Sequence, residues 1–216
     1  DYSVSDLRPY IDWTFFFIAW EMKKLYPDIL EDSAYGKEAK KIFNDANKML
    51  DFIEENNIVD IKGVFGIFKA NSNGDNIELY NKDKSLAATF NLFREQRKKN
   101  KGPYLCLSDF IAPKAINKGD YLGGFIVTTG LKTDEYVKKL ESEGDSYNAI
   151  MLKLVCDRLA ESFAEKLHED IRKNYWGYAK DENLSMKEIF KASYRGIRTA
   201  FGYPSLIDQS QMKILF

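Results

Sequence analysis

The stretch Ile61-Lys62-Gly63-Val64-Phe65-Gly66-Ile67-Phe68-Lys69-Ala70-Asn71-Ser72-Asn73-Gly74-Asp75-Asn76-Ile77-Glu78-Leu79-Tyr80 decides the fold class. Its two flanks, Ile61 to Ala70 and Ile77 to Tyr80, are rich in β-formers. The polar run Asn71 to Asp75 separates them, and its Asn73-Gly74 pair suits the positive φ angles of a tight hairpin turn. An antiparallel hairpin around Asn73-Gly74 is expected.

Upstream the period is helical. Ile42, Ala46, Met49, Leu50 and Ile53 recur at helical spacing, while Lys40, Asn44, Asp45 and Lys48 face outward, which predicts an amphipathic helix over 37–55. Residues 10–30 open on Trp13 and Phe15-Phe16-Phe17, then read as helical until Pro27. Downstream, Tyr104 to Phe110 and Asp120 to Thr129 read as a second β region, with a short charged helix over Phe90 to Lys99 between the two β regions.

The last third reads as helical. Thr133-Asp134 suits a cap for a helix to about Leu140. Leu152, Val155, Leu159, Phe163, Leu167 and Ile171 form one apolar stripe over 146–174. Ser185-Met186-Lys187-Glu188 fits a capping box, opening a helix that would end near Gly196. Hairpins with segregated helices predict an α+β fold, one curved antiparallel sheet with helices packed against it, as a single domain over 1–216.

Composition narrows the function. The 216 residues carry 32 Lys and Arg against 33 Asp and Glu, so the basic excess of a nucleic-acid partner is missing. No run of about eighteen apolar residues exists to cross a membrane. The start at Asp1 reads as a cut from a longer chain. Cys106 and Cys156 stand apart in apolar surroundings, which suggests free thiols without metal in a reducing cytoplasm. A single histidine, His168, rules out a multi-histidine metal site and reads as a surface or packing residue.

Three places could carry chemistry. Asp12 lies between Ile11 and Trp13; it could cap a helix, or offer an anion to a cationic ligand. Glu161 lies two residues from Leu159 and from Phe163, off the apolar stripe, where a solvated helix face is the plain expectation. The loop Arg198 to Pro204 joins a carboxylate-binding fork, a flexible Gly202 and the aromatic Tyr203; an ordinary turn is equally open. Gly63-Val64-Phe65-Gly66 is no dinucleotide fingerprint, because no helix opens after it.

These residues also sit in a wider pattern. Tyr10-Ile11-Asp12-Trp13-Thr14, Tyr26-Pro27-Asp28-Ile29-Leu30-Glu31-Asp32, Phe43-Asn44-Asp45-Ala46-Asn47 and Leu107-Ser108-Asp109-Phe110-Ile111-Ala112-Pro113 come in that order. Asp120-Tyr121-Leu122-Gly123, Asp157-Arg158-Leu159-Ala160-Glu161, Tyr175-Trp176-Gly177-Tyr178 and Arg198…Gly202-Tyr203-Pro204 follow. Together they resemble the activation domain of cobalamin-dependent methionine synthase, a 5-methyltetrahydrofolate–homocysteine methyltransferase, over nearly the whole chain.

The resemblance implies binding of S-adenosylmethionine and support for reductive methylation of cob(II)alamin back to methylcobalamin. It implies ligand contacts from Asp12, Glu161, Arg198, the backbone of Ala200, and Tyr203. The implied partners are a cobalamin-binding domain of the same enzyme and flavodoxin or a flavoprotein reductase as electron donor, without catalytic residues or metal in the domain itself. Where the family usually reads Arg-Pro-Ala-Pro-Gly-Tyr-Pro, this chain has Thr199 and Phe201 at the proline positions, which removes some preorganisation. The family also continues beyond the equivalent of Phe216, so the domain is expected to be C-terminally truncated. A second reading is therefore a non-catalytic docking module for a cobalamin domain or flavodoxin that no longer binds S-adenosylmethionine. A stand-alone hydrolase has no nucleophile–base constellation behind it.

Overall fold

The structure, a computed structural model, describes residues 2–216. The described residues form two compact units, one of 2–63 with 127–195 and one of 64–126 with 196–216.

The first unit is helical. Its helices are α1 (Val4–Leu7), α2 (Trp13–Ala19), α3 (Gly36–Glu55), α4 (Lys132–Ser142), α5 (Ser146–Asp170) and α6 (Met186–Phe190). The expected stripes are what is buried: Ile42, Ala46, Met49, Leu50 and Ile53 of α3, and Leu152, Val155, Leu159, Phe163 and Leu167 of α5. Helix α5 is the spine, touching α1, α2, α3 and α4. Phe16 and Phe17 of α2 are fully buried, and the Trp13 ring meets Phe43 of α3 at 4.7 Å.

Helix ends depart from the sequence expectations for a common reason. Helix α2 stops at Ala19 rather than near Pro27 because Glu21 turns left-handed (φ 61), with Met22 N–H donating to Phe17 O and Glu21 N–H to Ile18 O. The Ser185–Glu188 capping box forms as expected. Helix α6 nevertheless closes at Phe190 rather than near Gly196, by the same motif with Ala192 left-handed (φ 53). Thr133 does not cap α4; it is buried inside the first turn, with its hydroxyl 3.7 Å from Cys156 Sγ.

The second unit is built on an antiparallel sheet of β1 (Lys62–Asn73), β2 (Asn76–Tyr80), β3 (Leu86–Asn91) and β4 (Asp120–Thr128) in the order β3-β2-β1-β4. The expected hairpin is present: Ala70 faces Leu79 and Asn73 faces Asn76, with Gly74 supplying the positive φ (60°) at the turn. Ala70, Ile77, Leu79 and Phe90 form the core of one sheet face, covered by Leu122, Phe201, Ile214 and Leu215.

Two expectations fail here. The stretch Phe90 to Lys99 is not a helix: Phe90 and Asn91 end β3, and the following residues are irregular. They are held by Arg94, whose guanidinium grips Asp109 at 2.6 and 2.7 Å and Asp75 at 2.6 Å. Tyr104 to Phe110 is not a strand either, because Leu107–Phe110 is a 3₁₀ turn. There the Asp109 carboxylate accepts the Cys106 N–H at 2.9 Å, a local bond that competes with strand pairing. Cys106 and Cys156 are free and buried. Among the described residues no helix is long and apolar enough to cross a membrane.

Candidate functional site

Asp12 and Glu161 belong to the first unit. Asp12 is the N-cap of α2, its Oδ1 accepting the Thr14 N–H at 2.9 Å, between the buried Ile11 and Trp13. Its placement follows from the sequence: the aromatic helix behind it needs an acceptor for its first amides. Glu161 stands on the outward side of α5, exposed, between the buried Leu159 and Phe163. It continues a seam of Tyr147, Ile150 and Leu154 at three- and four-residue spacing, of which Tyr147 and Ile150 are exposed.

Arg198, Ala200 and Tyr203 belong to the second unit, within one compact turn. The Ala200 carbonyl accepts the Tyr203 N–H at 3.2 Å, the Tyr203 carbonyl the Leu206 N–H at 2.8 Å, and the Leu206 carbonyl the Gly202 N–H at 2.9 Å. Gly202 is required: its φ is +95°, and a Cβ there would sit 2.7 Å from Gln209 Nε2. Arg198 is half-buried and the Tyr203 ring is exposed.

The loop is held without the two prolines. Thr199 Oγ1 and Ser205 Oγ share a hydrogen bond of 2.7 Å across the turn, and the Phe201 ring lies 6.2 Å from that of Phe90 in the sheet core. Side-chain contacts thus do part of what proline rings would do through the backbone.

Sequence reading missed one cluster in the first unit. Arg172, fully buried in the π-helical turn Ile171–Tyr175 that ends α5, ion-pairs with Glu182, contacts His168 and lies under the Tyr194 ring. The only sequence signal was the i,i+4 spacing of His168 and Arg172, because Glu182 and Tyr194 are remote. His168 itself is buried, in keeping with a packing role. In the second unit, Lys114 and Tyr80 meet Glu78 and hold its carboxyl down to about 2, below its usual range. Among the described residues no group of three or more His, Cys, Asp or Glu could hold a metal ion.

The fold and these groups define an α+β domain whose candidate residues offer charge, backbone donors and an aromatic face. A family model for the activation domain of vitamin B12-dependent methionine synthase matches residues 3–216, and the chain belongs to that family. Among solved structures, the MetH reactivation domain bound to AdoHcy (S-adenosylhomocysteine) is 44% identical over 99% of this chain, with a TM-score of 0.95. The match covers 66% of that structure's chain, so this chain spans about two thirds of its length.

Proposed function

We propose that this chain binds S-adenosylmethionine, and its product S-adenosylhomocysteine, as one activation domain over residues 1–216. The observation that carries the reading is the AdoHcy-bound relative, with its close fold match and 44% identity over nearly all of this chain. The candidate groups suit such a ligand chemically. The Arg198 fork pairs with the amino-acid carboxylate, and Asp12 and Glu161 take the ammonium end. The backbone of Ala200 meets the ligand directly, while the Tyr203 ring faces the sulfonium or adenosine.

In this role the chain serves reductive methylation of cob(II)alamin carried by a neighbouring domain of the same methyltransferase, in the cytoplasm. Flavodoxin or a flavoprotein reductase supplies the electron. The ligand supplies an already activated sulfonium methyl group, which leaves S-adenosylhomocysteine behind. The residues of this chain therefore bind and orient, and need move no proton.

Isothermal titration of S-adenosylhomocysteine and S-adenosylmethionine into the 216-residue chain tests the reading. It requires saturable one-to-one binding of both. Absence of saturable heat for either would favour the docking-module reading instead.

A further inference from the structure

The cluster around Arg172 is not used by any ligand contact proposed above. Its guanidinium is 0% exposed, and each of its three nitrogens has a partner. Nε donates to Glu182 at 3.0 and 3.2 Å, Nη2 donates to Glu182 Oε1, Nη1 meets His168 Nδ1 at 2.7 Å, and Cζ lies 4.2 Å from the Tyr194 ring centre. The His168 ring packs edge-on against Tyr194 at 4.7 Å.

The protonation state of His168 follows from this geometry. A guanidinium has only donors, so Nδ1 must accept, and the imidazole is neutral with its proton on Nε2. The Arg172 side chain thereby ties two remote stretches, at Glu182 and Tyr194, to the end of α5. The anchoring extends to the next residue, since Tyr178 Oη donates to Arg195 O at 3.2 Å.

We propose that His168 and Arg172 form a pH-sensitive anchor within the first unit. They fix the chain at Tyr194–Arg195, and they do so only while His168 is neutral. Protonation would put an N–H on Nδ1 facing the Arg172 N–H groups, two donors and two positive charges in contact. Glu182 and the Tyr194 and Tyr178 rings face this cluster from the packed segment, and Glu165 and Glu169 flank His168 on its own helix. The carboxylates favour an imidazolium but cannot restore the lost Arg172 bond, so acidification loosens the anchor.

His168 is the sole histidine, so its ring nitrogens can be observed directly by ¹⁵N NMR of the chain. The Nε2–H tautomer with a bare Nδ1 is expected; an Nδ1–H tautomer would overturn the proposal. Amide protection over 179–195, taken relative to the intrinsic exchange rate at each pH, is then compared at about pH 7.5 and about pH 5.5. In the parent chain it should fall by about tenfold on acidification, the preference of a released imidazole for its charged form one unit below an ordinary value of about 6.5. In His168→Asn, whose amide oxygen replaces Nδ1 as acceptor but does not titrate, it should be flat. An equal pH dependence in His168→Asn, or pH-independent protection in the parent chain, would overturn the proposal.

Discussion

Thr199 and Ser205 join their side-chain oxygens at 2.7 Å across the turn that carries Ala200 and Tyr203. This chain closes that turn by the hydroxyl pair and by Phe201 packing beside Phe90. Thr199→Val keeps the shape and removes the bond. It should weaken S-adenosylhomocysteine binding by roughly two- to tenfold, the range for one neutral hydrogen bond, with little change in unfolding midpoint. Calorimetric titration beside a thermal melt checks both parts.

Gly202→Ala should be the more damaging change in that turn. Its φ of +95° is hostile to any side chain, and the new Cβ would press on Gln209 Nε2. A destabilisation of about 1 kcal/mol or more is expected, with weaker ligand binding. Denaturant unfolding of the variant measures it.

Acid should weaken the chain partly through Glu78. Its carboxyl is held down to about 2, first by the Lys114 ammonium at 2.6 Å and then by Tyr80 and Asn73. A depressed pKa in the folded state means stability that is present above the ordinary carboxylate value of 4.5 and lost as pH falls from there towards about 2. Asp109, held down to about 2 by Arg94, and Asp32, by Lys24, act in the same window. Urea midpoints measured between about pH 5 and about pH 2.5 should fall less steeply for Glu78→Gln than for the parent.

Burial pushes the Cys156 thiol up to about 11, while a hydrogen bond from Thr133 partly opposes the shift. The thiolate is the reactive form, so Cys156 in the native chain should react with a disulfide reagent at about pH 8 at least roughly a hundredfold more slowly than a free thiol. Denaturant should release it. Timed labelling with peptide mapping reads the two rates.

Periodic elements were the legible ones. Helices α3 and α5 declared themselves by their stripes, and the β1–β2 hairpin by Asn73-Gly74. Strand β3 was hidden because its few alternating residues run into the charged Arg94–Lys99 stretch, whose structure depends on Asp75 and Asp109. The ends of α2 at Ala19 and of α6 at Phe190 carry no glycine or asparagine signature, because Glu21 and Ala192 take the left-handed conformation beyond them. In the candidate site, Asp12 could be read as a cap from its neighbours. Glu161 is chemically indistinguishable from any exposed helix glutamate, and only the family pattern around it singled it out. Burial of Arg172 depends on Glu182 and Tyr194, ten and twenty-two residues away in sequence, beyond any local period.

The central claim is that the Arg198 turn binds the amino-acid end of S-adenosylmethionine. Its most direct test is calorimetric titration of S-adenosylhomocysteine into the parent chain, Arg198→Ala and Arg198→Lys. A guanidinium–carboxylate pair worth about 1.5–3 kcal/mol predicts a loss of roughly tenfold to a few hundredfold for Arg198→Ala. Lysine should recover only part of it, since a point charge lacks the fork. Binding by Arg198→Ala as tight as by the parent would contradict the assignment.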